Sequence, residues 1–241
     1  MGNGLGEVNV NWRVAMRLIG ILMTSALMAM PGFAQVPPRA ADIEAYSGLH
    51  LAAALGDAME VTRLINTGAD INGRDGYERT ALHVATYFRR HDVIAVLARA
   101  GADLGAKERD AYDAVTIAAV ADDVATLRVL IDLGASAKLV TSRHNGTALI
   151  AAAHLGHDEV VKLLIKAGAP LNHVNNLGWT ALIESIVLGK GGPRHTETLT
   201  ALVRAGANVN VPDREGMTPR ALAWSRGYWD MVRILENAGG R

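Results

Sequence analysis

Six glycines, Gly68, Gly101, Gly134, Gly168, Gly206 and Gly239, stand 33, 33, 34, 38 and 33 residues apart. All but the last are followed by alanine. A unit of this size cannot bury an apolar face alone. Self-similarity at a fixed period therefore points to a solenoid whose neighbouring units bury one another. Four residues before each glycine stands a leucine: Leu64, Leu97, Leu130, Leu164, Leu202 and Leu235. Seven before it stands Val61, Ile94, Leu127, Val161, Leu199 or Val232. A spacing of three places both on one helical face. The glycine then ends the helix in the left-handed conformation that its missing Cβ permits.

A shorter helix is expected upstream in every unit. Its N-cap column reads Ser47, Thr80, Asp113, Thr147, Thr180 and Thr218, all with a side-chain oxygen able to accept from the free N–H groups of the first turn. Pro219 suits the first helical position after Thr218. Five residues past each cap lies a small residue, Ala52, Ala85, Ala118, Ala152, Ser185 or Ala223, which implies close helix approach. Polar, turn-prone segments such as Asn72-Gly73-Arg74-Asp75-Gly76 join one unit to the next. Helices of two or three turns are marginal alone, so stability must come from stacking.

These columns resemble the ankyrin repeat. The fourth unit carries it most fully, as Gly146-TALIAAAHLGHDEVVKLLIKAGAPLN, ending at Asn172. The second has TALHVA from Thr80, the fifth GWTAL from Gly178, and the sixth GMTP from Gly216. The resemblance covers about residues 45 to 241. It implies an all-α solenoid of stacked helix-turn-helix units with β-hairpin-like fingers, in repeats 45–74, 75–107, 108–140, 141–174, 175–212 and 213–241. The third unit departs from the pattern, with Asp113-Ala114-Val115-Thr116 in place of T-P-L-H, and is expected to be the weakest joint. In the fifth, Lys190-Gly-Gly-Pro-Arg194 lengthens the turn between helices and reads as a tolerated surface loop.

Before the repeats, Arg13 and Arg17 precede an uncharged stretch, Leu18 to Met30, and then Pro31-Gly32-Phe33-Ala34. A positive start, an apolar core and small residues before a cut are the layout of a secretory signal. Residues 1–34 are therefore read as a signal peptide cleaved after Ala34, with 35–44 as a linker. The apolar core is shorter than the ~20 residues that span a bilayer. A start at Met16 would also suit such a signal. The chain has no cysteine, which excludes disulfides and thiolate metal sites and is compatible with a periplasmic or secreted protein.

The 24 basic residues balance the 24 acidic ones, with no basic tract, so no nucleic-acid partner is expected. No membrane association is expected once the signal is removed. No catalytic motif is present, so no enzymatic activity, cofactor or metal is expected. His154 and His157 are three apart but have no evident third ligand, and Gly189-Lys190-Gly191-Gly192 lacks the phosphate-loop frame. In proteins with ankyrin repeats, partners meet the fingers and the inner face of the first helices. By that resemblance the fingers offer Tyr77, Arg79, Tyr112, His144, Trp179 and Met217. The inner face offers Tyr87, Phe88, His154, Leu155, Val187, Leu188 and Arg226. Large exposed side chains mark interaction surfaces. The expected function is a monomeric adaptor, scaffold or inhibitor that binds a protein through its concave face and finger tips. The alternatives are a ligand-binding protective factor for an exported enzyme or stress response, and a secreted effector acting on host proteins.

Overall fold

The structure is a computed structural model that describes residues 37–241. The expected signal peptide, with its cut after Ala34, lies outside the described residues. Thirteen α-helices and no strand occur among them. A short leading helix, α1 (Ala40–Ala45), comes first. Six helix pairs follow, one in each expected span: α2 (Gly48–Leu55) with α3 (Ala58–Asn66), α4 (Ala81–Tyr87) with α5 (His91–Arg99), and α6 (Ala114–Val120) with α7 (Val124–Asp132). Then come α8 (Ala148–Leu155) with α9 (Asp158–Lys166), α10 (Ala181–Val187) with α11 (Pro193–Arg204), and α12 (Pro219–Ser225) with α13 (Trp229–Asn237). The first helices stack on one another in one layer and the second helices in another.

Local chemistry sets the ends of these helices. All six expected residues occupy the N-cap. Asp113, Thr147, Thr180 and Thr218 accept from the backbone N–H three residues on. Thr80 uses a capping box in which its own N–H donates to His83 Nδ1 at 3.0 Å. Ser47 caps without a side-chain bond. All six punctuating glycines have φ between +82° and +95°, the left-handed region where a side chain is strained.

The small-residue column is buried in every repeat, at 3 % exposure or less. The column from Val61 to Val232 is buried as well, at 7 % exposure or less. The leucine column is fully buried from Leu97 onward, whereas Leu64, in the first repeat, is half-exposed. Each interior repeat thus places a continuous apolar layer on the next, the arrangement that makes such a stack cooperative.

The fingers are hairpin-like turns, as expected: Asp75, Glu108, Asn175 and Asp213 each donate a backbone N–H to the carbonyl four residues on, and a single antiparallel bridge, Val140 with Thr147, occurs among the described residues. The 35–44 linker contains helix α1, whose Asp42 accepts from Arg79 Nη2 at 3.3 Å.

The insertion Lys190–Arg194 is clamped rather than loose. Pro193 opens α11, which runs for 12 residues where the other second helices have nine. Arg194 pairs with Asp122 and with Asp158, both at 2.9 Å. On the other side, Tyr228 Oη donates to the Gly189 carbonyl at 3.0 Å. A Cβ at Gly191 would lie 2.4 Å from the Tyr228 ring.

Candidate protein-binding face

The C-terminal ends of the first helices carry a column that crosses the whole stack. Eight residues past each cap stand Leu55, Phe88, Ala121, Leu155, Leu188 and Arg226. Five successive members are apolar. Leu55 is 64 % exposed, Ala121 and Arg226 are exposed, and Phe88, Leu155 and Leu188 are half-exposed. Successive helices pack about 8–10 Å apart, so the apolar part of the column runs for roughly 40 Å. Beside it lie the half-exposed Tyr87, His154 and Val187. Leu55 escaped the sequence reading because the first repeat lacks an ordinary finger, although the 33-residue step back from Phe88 marks it.

Burial removes two expected contact residues from this surface. Arg79 is 1 % exposed and Tyr112 is 4 % exposed. Arg79 Nε donates to Asp75 at 2.7 Å and its Nη2 to Asp42, so its charge is consumed inside the protein. Burial raises the Tyr112 phenol to about 12. Tyr77 is half-buried, with the guanidinium groups of Arg79 and Arg109 each 4.6 Å from its ring centre and that of Arg39 at 5.4 Å. These cation–π contacts stiffen the first finger. Met217 is 37 % exposed, His144 and Trp179 are half-exposed, and all three remain available at the finger row.

His154 is held from below. Its Nδ1 lies 3.2 Å from Glu184 Oε2, and Glu184 Oε1 accepts from Asn175 Nδ2 at 2.7 Å. Glu184 is fully buried, in a column otherwise made of Leu51, Val84, Ile117, Ala151 and Leu222. A buried carboxylate requires such partners. This one joins finger, first helix and neighbouring repeat, and it fixes the imidazole on the candidate face.

The fingers are built on a column the sequence reading missed. Seven residues past the repeat glycines come Asp75, Glu108, Asn175 and Asp213. One side-chain oxygen of each accepts two backbone N–H groups at the finger tip, two and four residues on. Arginines then stitch finger to finger. Arg109 donates to the Gly76 carbonyl, Arg143 pairs with Asp110 at 2.6 Å, and Arg214 donates to the Asn176 carbonyl. Each stitch reaches about one repeat back, so the period itself was the signal.

Three further histidines are structural. His50 Nε2 donates to the Arg79 carbonyl at 2.8 Å, His83 Nε2 to Ala106 at 3.0 Å, and His157 Nδ1 to Ala119 at 2.9 Å. A carbonyl only accepts, which identifies the protonated nitrogen. Burial lowers His83 to about 4 and keeps it neutral. No three His, Asp or Glu side chains converge as a metal site requires among the described residues. No helix among them is long and apolar enough to cross a membrane.

The family described as ankyrin repeats (3 copies) matches residues 26–108 and 115–213. The chain belongs to the ankyrin repeat family. Similar ankyrin repeat proteins include YahD of Escherichia coli (strain K12), 33 % identical over 190 residues that cover 78 % of this chain and 94 % of that protein. An ankyrin repeat domain from Acinetobacter baumannii AYE is 40 % identical, with a TM-score of 0.75 over 80 % of this chain and 98 % of its own. The Bcl-3 ankyrin repeat domain, from a member of the IkappaB protein family, is 27 % identical, with a TM-score of 0.74 over 81 % and 87 %. Ankyrin repeat domains are in general non-enzymatic modules of protein–protein interaction.

Proposed function

We propose that this ankyrin repeat protein is an exported adaptor, scaffold or inhibitor that grips one protein partner along the Leu55–Phe88–Ala121–Leu155–Leu188 column and the adjoining finger row. The apolar column over five consecutive repeats carries the reading. Contiguous exposed apolar surface on a rigid scaffold is what a docking partner can bury. Trp179, Met217, His144 and the Glu184-anchored His154 would flank it with aromatic and polar contacts. Arg79 and Tyr112, buried, hold the fingers in place and do not touch the partner. Export to the periplasm rests on the charged and apolar layout of residues 13–34.

The test is affinity capture from periplasmic extract with the chain and with a Phe88→Asp/Leu155→Asp variant whose thermal unfolding matches the parent. A protein held by the first and lost by the second supports the column as the binding face. A protein held equally by both moves the binding face elsewhere. Cell fractionation with mass spectrometry of the mature N-terminus tests export, and a cytoplasmic chain that retains residues 1–34 refutes it.

A further inference from the structure

In a repeat stack each unit ordinarily touches only its immediate neighbours. Arg194, in the insertion of the fifth repeat, departs from that rule, because it holds a carboxylate of the third repeat across the whole of the fourth. Its Nη1 and Nη2 lie 2.9 Å and 3.1 Å from the two oxygens of Asp122, and its Nε lies 2.9 Å from Asp158 of the fourth repeat. The planar guanidinium makes this possible. It places two bonds on one carboxylate and a third on another, a fork that an ammonium cannot reproduce. The rest of the extra turn of α11 reaches back as well. His195 Nε2 donates to the His154 carbonyl at 3.0 Å, and Glu197 lies 3.0 Å from Lys162 Nζ. α11 also packs on α8, the first helix of the preceding repeat, more extensively than any other second helix does on its counterpart. The anchors line the apolar column. Asp122 follows Ala121 directly, Asp158 is three residues past Leu155, and the insertion begins two residues past Leu188. The repeat held in this way is also the one whose first helix opens on a buried carboxylate, Asp113, at 1 % exposure.

We propose that Arg194 is a positioning residue for the binding face: it couples the third repeat to the fifth, so that Ala121, Leu155 and Leu188 keep a fixed spacing before any partner arrives. Preorganisation of this kind lowers the ordering cost of binding. Half of the Arg194 side chain is exposed, so the brace contributes modestly to overall stability. Its consequence lies in which repeats it joins. Leu55 and Phe88 precede the brace and depend on ordinary nearest-neighbour contacts. The use of the fixed spacing by a partner rests on the binding reading above, whereas the coupling belongs to the free chain, so either can fail without the other.

Hydrogen exchange of the full chain, read by mass spectrometry, tests the coupling. Arg194→Met keeps the aliphatic stem and removes the fork. It is expected to speed exchange in α6 and α7, two repeats away, by up to about five-fold, while α4 and α5 stay at the parent rate. Asp122→Asn removes the charge and tolerates the left-handed backbone of that position, at φ +54°. It is expected to match Arg194→Met, and the double substitution to exceed neither single one. The absence of cysteine permits a second readout, of position. Nitroxides on Arg128→Cys and Arg204→Cys span the brace, whereas those on Thr62→Cys and Arg128→Cys span the repeats before it; all three sites are exposed. Arg194→Met is expected to broaden the distance distribution of the first pair alone. Parent exchange in α6 and α7, a rise that is uniform along the chain, additive effects of Arg194→Met and Asp122→Asn, or equal widths for the first pair with and without Arg194 overturns the proposal.

Discussion

At the N-terminal end of the stack a guanidinium lies between two carboxylates, whereas at the C-terminal end two indole rings face outward. Arg79, almost fully buried, spans from Asp75 on its own finger to Asp42 on α1. Hydrogen bonds from Arg39 hold Asp42 down to about 2, with Arg79 contributing. Burial pushes Asp75 up, but donation from Tyr46, Arg79 and backbone N–H groups wins and lowers it. The far end has no such network: Met231, Val232 and Leu235 pack inward while Trp224 and Trp229 stay outside. An end closed by paired buried charge is specific and steeply sensitive to losing one partner. An end closed by packing alone tolerates change on its outer side.

The largest effect expected from this contrast is at Arg79. Arg79→Leu leaves the buried Asp75 without its cation and Asp42 with Arg39 alone, and breaking a buried pair from one side costs about 3 kcal/mol or more. For a domain of this size that lowers Tm by roughly 10 °C. Arg79→Lys restores charge without the planar fork and should recover part of the loss. A fall below ~1 kcal/mol in urea titration would place this cluster with ordinary surface ion pairs.

Acid should also act on the N-terminal half first. His83, neutral and buried, bridges its own cap to the Ala106 carbonyl of the next finger. Its folded value of about 4 lies below the ordinary 6.5. The stability it contributes is therefore complete above pH 6.5 and is lost as pH falls through 4, to a total of about 3 kcal/mol. The sixth repeat has Ala221 in that column, so its joint has no such titration. The check is an NMR titration of the His83 ring, expected to stay neutral at pH 5. Protonation near the ordinary value would remove the asymmetry.

Features set by local chemistry were legible in the sequence. The caps Thr147, Thr180 and Thr218 and the glycine turns depend on a few neighbouring residues, and both follow from stereochemistry that does not change between folds. The period fixed which columns lie inside. What remained hidden depended on contacts across repeats. Arg79 and Tyr112 occupy finger positions expected to meet a partner, yet both are buried, Arg79 with Asp42 of α1 as a partner from outside its own repeat. At six residues, α1 is too short for periodicity to reveal it. Glu184 did leave a signal, a charge in an aliphatic column, but only Asn175 and His154 explain it. Trp224 and Trp229 stand in columns that belong to the stacking interface, so neither the finger pattern nor the inner-face pattern marks them.

The interior offers a control for charge at the ends. Burial raises Asp113 to about 6, against bonds from Thr116 that favour the carboxylate. A raised folded value means stability that is present below pH 3.8 and lost as pH rises through 6. Asp113→Thr retains a cap oxygen without the buried charge and should gain about 1 kcal/mol at pH 7, with the gain closing near pH 4. Thermal unfolding at the two pH values decides it. A loss at pH 7 would mean that the charged cap bond to Thr116 outweighs burial.

The smallest effect sharpens the contrast most, because it should be nearly absent. Trp224→Arg/Trp229→Ser alters the outer face of α12 and α13, where both residues are more than half exposed. Exposed substitutions of this kind change stability by about 0.5 kcal/mol or less, and arginine is a better helix former than tryptophan. Unfolding measured at low micromolar concentration should therefore match the parent. The inner residues Met231, Val232 and Leu235 keep their packing against the fifth repeat in the variant. A loss near that of Arg79→Leu would mean that the tryptophans seal the last repeat as structural members. The two ends would then be alike in energy and different only in the chemistry that closes them.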